Sequence, residues 1–120
     1  MVYKLANISD LDNLPYLHPR IRTTLFEHTK VLTYEYGANR NVDTDDGGYV
    51  LYATPGTDPQ EIKAWFDYSN SCIEYVNRDL HADPPICSAI YILNNDHVVI
   101  IVMSIADAPP EITNAIDPNY

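Results

Sequence analysis

The sequence predicts an α+β fold: a small mixed sheet of three strands, with room for a fourth, carrying a central apolar hairpin and two main helices packed on it. Three observations predict it. Short apolar runs bounded by Gly, Pro and Asn stand at YVLYAT (Tyr49–Thr54), ICSAIYIL (Ile86–Leu93) and HVVIIVMSI (His97–Ile105). Two other stretches, 19–36 and 58–80, repeat apolar residues every three or four positions. With 120 residues, 46% of them apolar, the chain suits a single domain over 1–120 whose core needs neither disulfide nor metal.

Ser9 followed by Asp12 resembles a capping box opening a short turn over ISDLDNL, which Pro15 interrupts. Behind His18, Pro19 suits a first helical position, Ile21, Leu25, His28, Leu32 and Tyr36 keep helical spacing, and Gly37 stands where a C-cap belongs. Cap and period agree on a helix over 19–36. The β-branched and aromatic residues of TKVLTYEY leave a strand over Val31–Tyr36 as the alternative.

Asp58, Pro59 and Glu61 form a strong helix start, because the Asp carboxylate can accept orphan amides and Glu61 suits the helix dipole. The stripe Ile62, Trp65, Phe66, Ser69, Cys72, Ile73, Val76 and Leu80 extends that helix to about Leu80. Pro84-Pro85 follows, then two apolar runs around Asn94-Asn95-Asp96 that read as a tight hairpin. Both runs are apolar on successive residues, so each needs cover on both faces. A crossover from strand 49–54 through the long helix to strand 86–93 is expected parallel if the two share a sheet. A short helix near Pro110–Ile116 ends the chain.

Charge is uneven. Residues 1–40 hold five basic residues against four acids, whereas 41–120 hold thirteen acids against Lys63 and Arg78. Such a field repels phosphate backbones and anionic lipid, so neither nucleic acid nor membrane is an expected partner, and a protein with a basic surface is. Acidity also serves plain solubility. Cys72 and Cys87 fit no disulfide framework or CxxC motif, no signal-like apolar run opens MVYKLANISD, and Val98–Met103 is too short to span a bilayer. A cytoplasmic protein is expected.

The loop NVDTDDGG invites a metal. Asn41, Asp43 and Asp45 alternate as calcium ligands do, but counting from Asn41 puts Asp46 at the position requiring Gly and Tyr52 at the position requiring a bidentate Glu. Counting from Asp43 puts Gly47 where a ligand belongs. Turn chemistry explains the loop better: Asn and Asp bond their own backbone, and Gly47-Gly48 supply positive φ. Cys72, His81, Asp83 and Cys87 offer zinc-type ligands at spacings that match no common zinc site. Neither a metal nor another cofactor is expected, and no GxSxG, GxxxxGK[ST], GxGxxG or HExxH motif marks an enzyme.

Ten tyrosines remain to be explained. On a helix over 58–80, Tyr68 and Tyr75 fall off the core stripe and, with Glu61, Ala64, Asp67 and Asp79, make an acidic, aromatic flank suited to a partner protein. Covering the sheet edge is the plainer role for the two tyrosines.

The runs DGGYVLYATPGTDPQEIKAWFDYS and VVIIVMSIADAPPEI resemble small uncharacterised proteins found with mobile genetic elements of gut Firmicutes. The resemblance spans most of the chain and implies a bacterial, intracellular setting in which accessory proteins act by binding other proteins. It transfers no functional residue.

Two functional expectations follow. The first is a small non-enzymatic protein-binding module, accessory or inhibitory. The second is a small enzyme or ligand-binding domain whose site lies where the sheet's helices part, with Cys87, His97 or nearby acids involved, and a deep pocket holding a perturbed titratable group favours it. A homodimer is compatible with either.

Overall fold

The computed structural model describes residues 1–5, 7–15, 17–36, 48–66, 72–93 and 97–113, with backbone only for 32–36, 48, 66, 72–76, 91–93, 97 and 111. The fold is α+β, with a mixed sheet of five strands rather than three or four. In chain order come β1 (Val2–Leu5), a 3-10 turn (Ile8–Asn13), α1 (Pro19–Tyr36), β2 (Gly48–Ala53), α2 (Pro59–Phe66), β3 (Cys72–Asp79), β4 (Ile86–Leu93), β5 (His97–Ser104), a second 3-10 turn (Ile105–Asp107) and α3 (Pro110–Thr113).

The sheet order is β1-β2-β5-β4-β3. Among the described residues only β2 and β5 pair in parallel, with Val50 opposite Ile100 and Tyr52 opposite Val102. β4 and β5 pair antiparallel from Ile86↔Ser104 to Leu93↔His97, and the Asn94–Asp96 connection lies outside the described residues. β2 and β4 therefore run in opposite directions, which overturns the expected parallel crossover between them. The unit that does cross over is β2–α2–β3: β3 runs the same way as β2 but lies at the far edge, beyond β5 and β4.

Continuous apolarity in the inner strands becomes burial on both faces. On one face, Val50, Tyr52, Ile100 and Val102 meet Leu11 of the first 3-10 turn and Ile21 and Leu25 of α1. On the other, Leu51, Ala53, Val99, Ile101 and Met103 meet Ile62 of α2 and Ile112 of α3. Period-two alternation thus assigns neighbouring residues to two separate clusters.

α1 settles the choice over Val31–Tyr36 in favour of helix. At its start, the ring Nδ1 of His18 accepts the Arg20 N–H at 3.3 Å and the His18 carbonyl accepts those of Ile21 and Arg22. Gly37 is outside the described residues. The first 3-10 turn begins earlier than the Ser9/Asp12 pairing implies: Asp10 accepts the Asn7 N–H at 2.9 Å, the reciprocal half of a capping box.

The helix expected over 58–80 is corrected. Its start is as expected, with the Asp58 carboxylate accepting the Gln60 N–H at 2.8 Å. α2 extends only to Phe66, and by Cys72 the chain is a strand pairing antiparallel with β4. The sequence between them includes Ser69-Asn70-Ser71, residue types of weak helix propensity. Ile73, Tyr75 and Val76 prefer a pleated surface, and the pairing with β4 supplies one.

The β2–α2 connection turns at Gly56, where φ is +86° and the N–H donates to the Asp107 carboxylate at 2.8 Å. A side chain there would meet nothing within 4 Å, so the cost of adding one lies in the backbone. Gly56→Ala should lower the unfolding free energy by about 1 kcal/mol in urea titration with an unchanged slope. A neutral or stabilised variant would contradict the left-handed turn.

Candidate functional site

A cleft of about 510 Å³ opens where the first half of α1 faces β3, the turn after it and the start of β4. Its volume lies within the range of small-molecule sites. α1 contributes Arg20, Thr24 and His28, each four residues after the last and hence on one face of the helix. Asn77 and Asp79 of β3 pair with Ser88 and Ile86 of β4, so the sheet presents these four residues to α1.

Two polar pairs cross the cleft. At its floor, His28 Nε2 lies 3.3 Å from the Oγ of Ser88, whose residue is only 5% exposed. Burial pushes the His28 pKa below its usual 6.5, with the neighbouring Glu27 carboxylate opposing the shift, so the imidazole is neutral at pH 7. Nearer the mouth, Arg20 Nε bonds the Asp79 carboxylate at 2.9 and 3.2 Å, and Nη2 bonds Oδ1 at 3.1 Å. The Arg20 hydrogen bonds hold the Asp79 pKa below the ordinary carboxylate value, helped by the His81 backbone N–H at 2.9 Å.

A Ser–His contact invites comparison with nucleophilic catalysis. That chemistry also needs a group to orient the second ring nitrogen and donors for an oxyanion. Among the described residues, neither a carboxylate nor a backbone carbonyl hydrogen-bonds His28 Nδ1. The pair places one hydroxyl and one neutral imidazole at the floor of a partly apolar cleft.

The residues expected to form a partner surface do not share one helix. Glu61 and Ala64 lie exposed on α2. Tyr75 and Asp79 belong to β3, and Asp67 and Tyr68 lie outside the described residues. Asp79 pairs with Arg20 of α1, on the opposite side of the sheet from Ile62 of α2. The expected flank over a single long helix is thereby lost, and its described members divide between two elements.

Cys87 is also away from the cleft. It is buried in the cluster beneath α2, where burial pushes the thiol up to about 11 against the opposing influence of Arg78, and such a thiol is a poor nucleophile. His97 opens β5 opposite Leu93, and its side chain is not described. Asn41, Asp43 and Asp45 lie outside the described residues. Among the described residues, no three His, Cys, Asp or Glu side chains gather as metal ligands, and no helix is long and apolar enough to cross a membrane.

No protein-family model matches the chain, and neither a curated protein nor a solved structure is significantly similar to it.

Proposed function

We propose that the protein is a small acidic, non-enzymatic protein-binding module, accessory or inhibitory in role, whose partner presents a basic surface. The observation that carries this reading is the disposition of charge. Seventeen acids face seven lysines and arginines, and several of the cations already meet the protein's own groups. Arg20 pairs with Asp79, Arg22 lies 3.5 Å from Asp12, and Lys4 stands 4.5 Å over the Tyr49 ring. Among the described residues, exposed Glu27 and Asp83 form no ion pair, which supports a surplus of negative charge for a partner.

The outer face of α2 suits docking best. Glu61 and Ala64 sit there beside Gln60, all exposed, while Ile62 anchors the helix to the core. Tyr75 and Asp79 belong to edge strand β3, apart from α2, and the Asp79 carboxylate is already paired with Arg20. Glu61→Lys should weaken capture of a host partner and flatten its salt dependence. The change costs little stability, because Glu61 is half exposed and lies 3.8 Å from the N-terminal amine. Recovery of the same proteins at every salt concentration by wild-type and Glu61→Lys baits would sink this assignment of the face.

A second reading, a small-ligand site, is favoured by the cleft itself, since it combines a suitable volume with a titratable group shifted by burial. It is compatible with the first, because α2 and the cleft lie on opposite faces of the sheet.

A further inference from the structure

We propose that the α1/β3–β4 cleft binds a small monocarboxylate with a short apolar substituent, Arg20 receiving the carboxylate. The inference rests on the small-ligand reading and deepens it by naming the class.

A guanidinium carries five N–H groups arranged as two forks, one along Nε and Nη2 and one across Nη1 and Nη2. Asp79 occupies the first fork. The second makes no hydrogen bond among the described residues, and Arg20 lines the cleft. A planar carboxylate matches that end-on fork with two parallel bonds. Asp79 has already fixed the side chain, so less rotamer freedom is lost on binding.

The other lining groups restrict the choice. Among the described residues the neutral His28 is bonded to Ser88 and leaves one ring nitrogen for a ligand, while Thr24 Oγ1 already donates to the Arg20 carbonyl at 2.9 Å. Ile86 is buried at the cleft wall and Leu80 is 60% exposed at its rim, so an apolar substituent would gain cover there. Charge decides between oxyanions. Asp79 stands directly behind the guanidinium and the whole chain carries −10, so a dianion such as phosphate meets about twice the repulsion of a monoanion at the same place. A neutral amide avoids repulsion but meets the fork with one oxygen instead of two and without the charge that strengthens such bonds.

The test is a titration of the intact chain with butyrate, butyramide and inorganic phosphate, followed by NMR signals of the His28 and His81 rings and the Ser88 amide. Butyrate should shift them saturably in the millimolar range. Butyramide and phosphate should bind at least tenfold more weakly. Arg20→Lys, which keeps the charge and removes the fork, should weaken butyrate about tenfold, with amide signals outside the cleft reporting that the fold is intact. Undiminished butyrate binding by Arg20→Lys overturns the assignment of Arg20. If butyramide or phosphate equals butyrate in the cleft, the carboxylate class fails while the small-ligand reading stands. If none of the three gives saturable shifts there, both fail.

Discussion

Ile101→Ala should lower the unfolding free energy by about 3–4 kcal/mol. Ile101 is fully buried and lies on β5, the middle strand, with Leu51 opposite it on β2 and Ala89 opposite it on β4. Its side chain belongs to the cluster containing Ile62, Cys87 and Met103. Backbone pairing on both sides restrains the strand from moving to close a cavity, which places the cost in the upper half of the usual range for such truncations. Domains of this size have roughly 5–15 kcal/mol in total, so the variant should remain folded at 25 °C but unfold at clearly lower urea. Val31→Ala is the control: that side chain is 44% exposed on α1, and the change should stay within about 0.5 kcal/mol. An Ile101→Ala loss below 1 kcal/mol would mean that the α2 side of the sheet is not closed as described.

The same two-sided burial explains which parts of the fold were legible in the sequence. Ile100, Ile101, Val102 and Met103 are apolar in succession, and succession signals cover on both faces wherever the strand sits. Caps are equally local, so Asp58 and Pro59 fixed the start of α2 and Pro19 that of α1. Edge strands were less visible. VYKL is only four residues long and becomes β1 through pairing with Tyr52, Leu51 and Val50 of β2. Residues 72–79 satisfy helical spacing by coincidence, since Cys72, Ile73 and Val76 also suit a strand. Pairing with β4, remote in sequence, decides between the two, and periodicity within one segment does not contain that information.

The cleft left a fainter trace. His28 interrupts the apolar stripe of α1 and Ser88 interrupts the apolar run of β4. Each polar residue on a buried face needs a partner, and here they supply one another. Either interruption taken singly is compatible with an isolated core histidine or a backbone-bonded serine. A helix over 72–80 puts Asp79 on an acidic flank, whereas on the strand its carboxylate meets Arg20 of α1, a neighbour that helical spacing does not suggest.

His28 should make stability fall as pH drops below about 6.5, and His28→Gln should abolish that part of the profile. Burial lowers its pKa in the folded chain, whereas the unfolded chain titrates near the ordinary value of about 6.5. Above that value both states are neutral and the group has no pH-dependent effect. As pH falls below it, the unfolded state takes up the proton first, so stability is lost until the pH passes the folded pKa, below which both states are charged and the loss levels off. One proton limits the slope to about 1.4 kcal/mol per pH unit. The groups around the ring do not reverse the sign: Ser88 is neutral, Glu27 opposes the shift without overcoming burial, and Arg20 is paired with Asp79. Acidification also relieves repulsion within a chain carrying −10, so the raw profile combines two opposing trends. The decisive measurement is therefore the difference in urea-unfolding free energy between wild type and His28→Gln from pH 7.5 to 4.5, since glutamine can still bond Ser88 but does not titrate. Asp79 is separable in the same experiment, because its lowered pKa makes its contribution fall away only as pH drops below about 3.8. A flat wild-type minus His28→Gln difference across pH 4.5–7.5 would show that the imidazole is as well solvated in the folded chain as in the unfolded one, and that the floor of the cleft is wet.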